Sequence, residues 1–199
     1  MPPAVVSLTS VALAIRRRIR PDRGCLLIAI DGPGGAGKST HANRLAAVLG
    51  GVPVIHTDDF ASWDDPLGWW PRLRAEVLVP LAGGRDARFR RFDWDAGALA
   101  PDETVVPFCP IAIVEGVSSG RAEFAPYLAY VIWIETDRAT RLRRGLDRDG
   151  DDAIALWNEW MAAEDAHYRR DPTATRADLV VDGAPTLEHD PAAELVVVT

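Results

Sequence analysis

The segment that most constrains the fold is a glycine-rich stretch at residues 32–39, which reads Gly-Pro-Gly-Gly-Ala-Gly-Lys-Ser. It follows an apolar run at residues 26–30 that ends in Asp31, a pattern typical of a buried parallel strand. Apolar residues then recur at helical spacing, at Ala42, Leu45, Ala46 and Leu49. A strand, a glycine-rich turn and a helix in this order predict a P-loop, although such a turn can also join a strand to a helix without binding a ligand.

The predicted P-loop implies a nucleotide and a metal ion. Its glycines let backbone N–H groups surround phosphate oxygens, and the helix that follows adds the positive end of its dipole. We expect Lys38 to reach the β- and γ-phosphates of ATP and the Ser39 hydroxyl to bind Mg²⁺. The residues predicted to contact the nucleotide are Gly32, Gly34, Gly35, Ala36, Gly37, Lys38, Ser39 and Thr40.

The basic residues of the chain support this prediction. Of the 22 lysine and arginine residues, Lys38 is the single lysine, and it stands where a P-loop requires one. It also excludes a guanine-specific GTPase, whose Asn-Lys-x-Asp motif needs a lysine of its own. The net charge of −7 argues against a nucleic-acid partner. The two cysteines, Cys25 and Cys109, suggest a reduced compartment instead of a disulfide framework.

The N-terminal residues 1–20 are expected to form an amphipathic helix, because apolar side chains recur there at helical spacing. Those side chains are Val5, Leu8, Ala12, Ile15 and Ile19. A basic cluster that includes Arg20 follows the apolar stretch, whereas a secretory signal has the opposite order. No stretch is long enough to span a membrane, so we expect a cytoplasmic protein without a membrane partner.

The rest of the chain alternates between predicted strands and helices. The further strands fall at residues 52–56, 111–116, 131–135 and 179–181, and the further helices at 71–81, 139–146 and 154–168. A hairpin insert is predicted at 85–107 and an arginine-rich helical lid at 141–170, whereas residues 195–198 fit either a strand or a helix. This order predicts one α/β domain over residues 1–199, with a P-loop NTPase fold and a five-stranded parallel sheet flanked by helices.

Three acidic residues at strand ends are candidates for chemistry. Asp58 and Asp59 follow the strand at 52–56, where a carboxylate can accept a proton from an attacking hydroxyl or bind Mg²⁺ through water. Glu115 ends another strand and could hold Mg²⁺ together with Ser39. The alternatives are a solvated acidic loop for the aspartates and a solvent-facing charge for Glu115.

Two further groups suggest contacts with phosphate and with the acceptor of a phosphoryl group. Arg144 and Arg148 share one helix face with Arg141 and could close over a transferring phosphate, or could pair with Asp137 and Asp147 on a solvated helix. The segment Arg91-Phe92-Asp93-Trp94 suits stacking on a ring and hydrogen bonding to a polyol, or is an exposed hairpin. Trp63, Trp69 and Trp70 could line a pocket or fill the core, and the four histidines show no catalytic or ligand pattern.

These motifs together resemble the uridine kinase-like branch of P-loop kinases. The resembling pieces are residues 30–40, 56–60, 91–94, 114–116, 141–149 and 177–182. The resemblance implies an ATP-dependent transfer of the γ-phosphate to a primary hydroxyl, as on the 5′ carbon of a pyrimidine ribonucleoside. It also implies that Asp58 is the general base and that Arg144 and Arg148 belong to the lid. The expected acceptor contacts are Asp58, Asp59, Phe60, Arg91, Phe92, Asp93 and Trp94.

The sequence departs from this family in the acceptor region. Residues 63–70 differ from the family's acceptor segment, residues 91–94 lack its His-Ser-Arg continuation, and Trp157 and Trp160 have no assigned role. A nucleoside monophosphate or a non-nucleoside alcohol therefore stays open as the acceptor. A regulatory nucleotide-binding protein is the alternative from another class, and a homodimer is compatible with the sequence.

Overall fold

The computed structural model describes residues 2–19, 24–62 and 64–198. Its strands are β1 (Ala4–Ser7), β2 (Leu26–Asp31), β3 (Val54–His56), β4 (Ala87–Asp93), β5 (Ala98–Val106), β6 (Ile111–Glu115), β7 (Leu128–Glu135), β8 (Leu179–Asp182) and β9 (Glu194–Val197). Its α-helices are α1 (Leu8–Arg16), α2 (Lys38–Val48), α3 (Trp70–Leu73), α4 (Val79–Ala82), α5 (Arg138–Asp149) and α6 (Ile154–Arg170).

The main sheet has seven strands in the order β1-β9-β8-β7-β2-β6-β3. The five strands from β8 to β3 are parallel, which confirms the predicted five-stranded parallel sheet. Two antiparallel strands, β9 and β1, extend its edge beyond that prediction. The C-terminal apolar run, for which the sequence allowed either type, is therefore a strand. The remaining strands, β4 and β5, form a separate two-stranded hairpin, as the predicted insert required.

The N-terminal prediction is wrong at its start, because residues 4–7 form a strand and the helix begins only at Leu8. The β-branched pair Val5 and Val6 favours a strand, and both residues pair with β9. The Ser7 side chain then accepts a hydrogen bond of 3.1 Å from Ser10 N and so caps α1. Helix α1 ends at Arg16, and Arg20 lies outside the described residues.

The sheet has apolar layers on both faces because side chains along β2 alternate between them. Ile28 and Ile30 pack with Ile15 of α1 and Leu45 of α2 on one face. Leu27 packs on the other face, in a cluster with the segment from α3 to α4 and with the hairpin. All six residues of β2 are buried, so the strand that leads into the P-loop lies at the centre of the domain.

The helical segment predicted at 71–81 is irregular. It begins as α3, widens into a π-helical stretch at Arg74–Leu78, and ends as α4. Pro80 has no N–H to donate into this segment, which accounts for a locally altered hydrogen-bond ladder. Across residues 2–19, 24–62 and 64–198, the structure contains no helix with the length and apolar character needed to cross a bilayer.

Candidate active site

A cavity of about 810 Å³ lies where the carboxyl ends of β2, β3 and β6 meet. In a parallel α/β sheet this edge is where ligands bind. The P-loop, the hairpin, α5 and α6 all contribute residues to its lining. The predicted site residues that line the cavity are Gly34, Gly35, Gly37, Lys38, Ser39, Thr40, Asp58, Trp94, Glu115, Arg144 and Arg148.

The P-loop conformation depends on glycine at two closely packed positions. Gly35 has φ of 75°, and a Cβ atom there would lie 2.6 Å from the Arg141 carbonyl oxygen. Gly32 has φ of 148°, and its Cβ would lie 2.6 Å from the Ile134 carbonyl oxygen. Both positions therefore combine a backbone that favours glycine with a neighbour that excludes a side chain. Gly32 and Ala36 are buried and shape the loop from outside the cavity lining.

Lys38 and Ser39 stand at the first turn of α2 and are held by different partners. Lys38 is only 8% exposed, and its Nζ donates a 2.9 Å hydrogen bond to the Pro33 carbonyl across the loop. The Ser39 hydroxyl donates a 3.1 Å hydrogen bond to Oε1 of Glu115. The end of β6 is thereby connected to the start of α2, where the helix dipole favours anions.

The residues around Glu115 fit a Mg²⁺ ion. Oε2 of Glu115 is buried and has no hydrogen-bond partner among the described residues, so one carboxylate oxygen stays open for a ligand. Ser39 places a hydroxyl at the same carboxylate. Residues 2–19, 24–62 and 64–198 hold no cluster of three or more His, Cys, Asp or Glu side chains suited to a metal. In nucleotide complexes Mg²⁺ uses one or two protein oxygens together with phosphates and water.

His56 is a site residue that the sequence did not identify. Its Nδ1 lies 2.5 Å from Oε1 of Glu115, and this hydrogen bond raises the pKa of His56. The two residues end neighbouring parallel strands and stand in direct register. The signal was therefore present as two polar strand ends, but only the order of strands in the sheet shows that they are adjacent.

The two candidate aspartates differ in their position relative to the cavity. Asp58 lines the cavity, whereas Asp59 lies outside its lining. The walls around Asp58 partly desolvate its carboxylate and raise its pKa, and the positive charge of Lys38 acts in the opposite direction. A Cβ atom at Gly116 would lie 1.8 Å from Oγ1 of Thr57, so the turn that carries Asp58 packs tightly on the end of β6.

Arg144 and Arg148 both line the cavity but have different partners. Arg144 donates hydrogen bonds to the carbonyls of Gly35 at 3.2 Å and Gly183 at 2.9 Å, which fixes α5 against the P-loop. Arg148 donates to both oxygens of Asp149, at 2.7 and 2.9 Å, and the hydrogen bonds raise the pKa of Arg148. Its guanidinium lies 5.6 Å from the centre of the Trp157 ring.

Most of the predicted acceptor contacts do not line the cavity. The exception in the hairpin is Trp94, which donates to the Asp58 carbonyl at 3.2 Å. Phe60 is buried against Phe89, with ring centres 4.7 Å apart, because it belongs to the core. Asp93 accepts hydrogen bonds of 3.0 Å from the backbone of residues 95 and 96 and so closes the hairpin turn. Asp59, Arg91 and Phe92 also lie outside the cavity lining.

Trp69 and Trp70 pack in the core, the second of the two alternatives that the sequence allowed for them. Trp69 is 5% exposed and packs 6.3 Å from the Phe124 ring, and Trp70 packs against the guanidinium of Arg121 at 5.1 Å. Trp63 lies outside the described residues. The indoles that line the cavity are those of Trp94, Trp157 and Trp160, and the Trp94 and Trp160 rings lie 6.5 Å apart.

A buried carboxylate fixes the entry to the P-loop, and the sequence did not identify this role. Asp31 is 0% exposed and accepts hydrogen bonds from Gly32 N at 2.7 Å, Gly120 N at 3.0 Å and the Tyr168 hydroxyl at 2.8 Å. Burial raises the pKa of Asp31, and the Tyr168 hydrogen bond opposes that effect. Tyr168 is on α6, so the far end of this helix is tied to the first peptide of the P-loop.

Comparisons with known proteins establish the fold. No family model and no curated protein matches the chain. Among solved structures, a possible uridine kinase from Bacillus stearothermophilus has a TM-score of 0.65 at 19% identity, with 87% of this chain and 96% of that chain covered. A proposed fructose transport system kinase from Silicibacter sp. TM1040 has a TM-score of 0.63 at 22% identity, with 81% and 95% covered. D-glycerate 3-kinase from Cryptococcus neoformans var. grubii serotype A has a TM-score of 0.62 at 11% identity, with 94% of this chain and 96% of that chain covered. The predicted P-loop NTPase fold is thus confirmed.

Proposed function

We propose that the protein is an ATP-dependent small-molecule kinase that transfers the γ-phosphate to a hydroxyl group. The observation that carries this proposal is the convergence of a P-loop, a strand-end carboxylate pair and an arginine-bearing helix on one cavity. Lys38, Asp58, Glu115, Arg144 and Arg148 all line it. Phosphoryl transfer requires groups that bind the phosphates, a general base, and positive charges that stabilise the transition state.

Each side of the cavity has its own task in this proposal. Bound ATP would supply the phosphoryl group, and the Mg²⁺ ion bound with it would neutralise part of the charge on the phosphates. The P-loop amides and Lys38 hold the phosphates, and Ser39 with Glu115 holds the metal ion. Arg148 is 71% exposed on its side chain, so it can turn toward a bound phosphate once it releases Asp149. Its charge then stabilises the negative charge that develops during transfer.

Asp58 is the proposed general base. Its carboxylate lies in the cavity close enough to Lys38 and Arg148 for both charges to affect its pKa. The surroundings raise that pKa, which makes the carboxylate a stronger proton acceptor than an ordinary aspartate. It can therefore take the proton of an acceptor hydroxyl as the oxygen attacks phosphorus.

A pyrimidine ribonucleoside is the first candidate acceptor. The indoles of Trp94 and Trp160 line the cavity near Asp58 and offer apolar faces to a flat ring. The resemblance to uridine kinase-like enzymes and the similarity to a possible uridine kinase support the same class.

A non-nucleoside alcohol is the second candidate, and a specific observation favours it. Phe92 and Asp93, the nucleoside contacts that the resemblance implied, lie outside the cavity lining. Two similar structures bear the names of a fructose transport system kinase and a glycerate kinase. A nucleoside monophosphate acceptor would need additional cations near Asp58 to bind its phosphate. It has less support, because two arginines of the hairpin already have partners there: Arg88 pairs with Glu103, and Arg90 donates to the Ala100 carbonyl.

The test is ADP release from Mg·ATP across a panel of nucleosides, nucleoside monophosphates, sugars and hydroxy acids. Acceptor-dependent turnover that Asp58→Asn removes supports the kinase proposal, and the acceptor that reacts identifies the class. If the protein binds ATP but turns over no acceptor, a regulatory nucleotide-binding role replaces the kinase proposal.

A further inference from the structure

Glu164 is a buried carboxyl residue in the middle of α6. Its side chain is 1% exposed, and its Oε1 accepts a 2.9 Å hydrogen bond from the backbone N–H of Gly34 in the P-loop. Desolvation raises the pKa of Glu164, while Lys38, the Gly34 N–H and Arg141 favour its ionised form. Burial of a carboxylate costs free energy, so its position against the P-loop suggests that it contributes to the function of that loop.

Arg141 provides the matching charge from α5. Its Nη1 lies 3.5 Å from Oε2 of Glu164, and neither atom has a closer hydrogen-bond partner in the described part of the chain. The Nε of Arg141 donates a 3.1 Å hydrogen bond to the Thr136 carbonyl, which fixes the guanidinium in place. Arg141 is 7% exposed on its side chain, so the pair is shielded from water. The Glu164 carboxyl group is therefore fixed between the P-loop and Arg141.

The P-loop is held by both α5 and α6. Glu164 accepts from the N–H of Gly34, while Arg144 donates to the carbonyl of Gly35. A Cβ atom at Gly34 would lie 2.9 Å from Oε1 of Glu164 and 3.3 Å from the Trp157 ring. A side chain at this position would therefore displace the Glu164 carboxylate from the Gly34 N–H or crowd Trp157.

We propose that Glu164 is a positioning residue for nucleotide binding, which acts by holding the Gly34 peptide and with it the first half of the P-loop. The inference rests on the proposed function in taking a nucleotide as the ligand of this loop. Because Trp157 and Trp160 are on the same helix and line the cavity, the contact also ties the phosphate site to the aromatic wall. Loss of the contact lets the loop leave its binding shape, and bound nucleotide must restore that order at a cost in affinity.

The experiment measures the Kd of MgADP and of MgATP by isothermal titration calorimetry at 20 °C. Glu164→Ala is expected to raise both values by about tenfold or more, the loss typical of one charge-assisted hydrogen bond. Glu164→Gln is expected to recover part of the affinity, because its amide oxygen can accept the same N–H although Arg141 loses its countercharge. The matched control is Glu159→Gln, which makes the same charge change at an exposed position of α6 and should bind like the wild type.

The readout separates a positioning role from a structural one, because a folded variant well below its melting temperature keeps its Kd unless the site changes. Wild-type affinity in folded Glu164→Ala overturns the proposal, and so does an equal loss in Glu164→Gln. If Glu164→Ala does not fold, Glu164→Asp tests the same point: it keeps the charge but shortens the reach to Gly34, and unchanged affinity would contradict the proposal. A wild-type protein that binds neither nucleotide would overturn the proposed function as well.

Discussion

His56 and Glu115 end two neighbouring strands, and their Nδ1 and Oε1 atoms lie 2.5 Å apart beside the proposed Mg²⁺ position. The hydrogen bond raises the pKa of His56 in the folded protein above its unfolded value. The stabilisation is therefore fully present below the unfolded pKa of about 6.5 and is lost as the pH rises through the folded pKa. The pair is a pH-dependent element of the fold.

We expect the free-energy advantage of the wild type over His56→Ala to shrink as the pH rises from 6 to 9. The His56 side chain is 43% exposed, so the total effect should stay below about 1 kcal/mol. Urea unfolding at several pH values measures it. His189→Ala, which removes an imidazole that contacts Leu187 instead, is the control, and a parallel pH dependence of the wild type and His56→Ala would contradict the expectation.

Asp58→Asn is expected to lower kcat by about 10²-fold or more, because it removes the proposed proton acceptor. Asp59→Asn is the matched control, since Asp59 is adjacent in sequence but lies outside the cavity lining. Steady-state ADP release with a reactive acceptor measures both variants. A larger loss in Asp59→Asn would transfer the role of base to that residue.

Lys38→Ala is expected to abolish phosphoryl transfer and leave the fold largely intact. The Nζ of Lys38 contributes a hydrogen bond within the loop, but the charge it brings to the phosphates has no substitute there. Activity assays and circular dichroism should be compared with Arg138→Ala, which removes a cation that pairs with Asp165 on the surface. Full activity in Lys38→Ala would rule out the P-loop assignment.

Arg144→Ala is expected to lower kcat/KM for ATP by about tenfold to a hundredfold. The variant loses hydrogen bonds from a charged group to the carbonyls of Gly35 and Gly183, which hold the P-loop against α5. Arg143→Ala changes the adjacent, exposed arginine of the same helix and should retain wild-type kinetics. Equal effects of the two substitutions would show that the charge of α5, and not the contact, matters.

Gly145→Ala is expected to destabilise the protein by about 1–3 kcal/mol, the usual cost of overpacking. A Cβ atom there would lie 2.3 Å from the Trp157 ring, so α6 would have to move away from α5. At an unhindered helix position the same change would raise the free energy of unfolding by about 1 kcal/mol. The sign of the measured change therefore shows whether Trp157 obstructs the added methyl group. Thermal unfolding, with Arg143→Ala as the helix control, distinguishes them.

The sequence predicted the P-loop because all of its determinants lie within residues 26–49. It also predicted the five parallel strands, since buried runs with polar ends are local patterns. It could not place the hairpin residues, because a motif orders residues along the chain without showing which of them face a cavity. Asp93 illustrates this: its carboxylate closes its own turn.

The remaining differences depend on distant partners. His56 acquires its role only from Glu115, and Glu164 only from Gly34, which is 130 positions away. Residues 4–7 fit a helical pattern as well as a strand, and the decision came from pairing with β9 at the other end of the chain. Such contacts are properties of the assembled sheet and not of a local segment.

The buried ε-amine of Lys38 has a practical consequence for labelling. Because the chain has a single lysine, an amine-directed acylating reagent has one side-chain target, and that target lines the cavity. Lys38 is 8% exposed and its amine donates a hydrogen bond to the Pro33 carbonyl, so the acylation rate of the amine reports on the opening of the loop. Protection of this one amine by a bound compound would make each candidate ligand detectable by intact-protein mass spectrometry, without any assay of turnover.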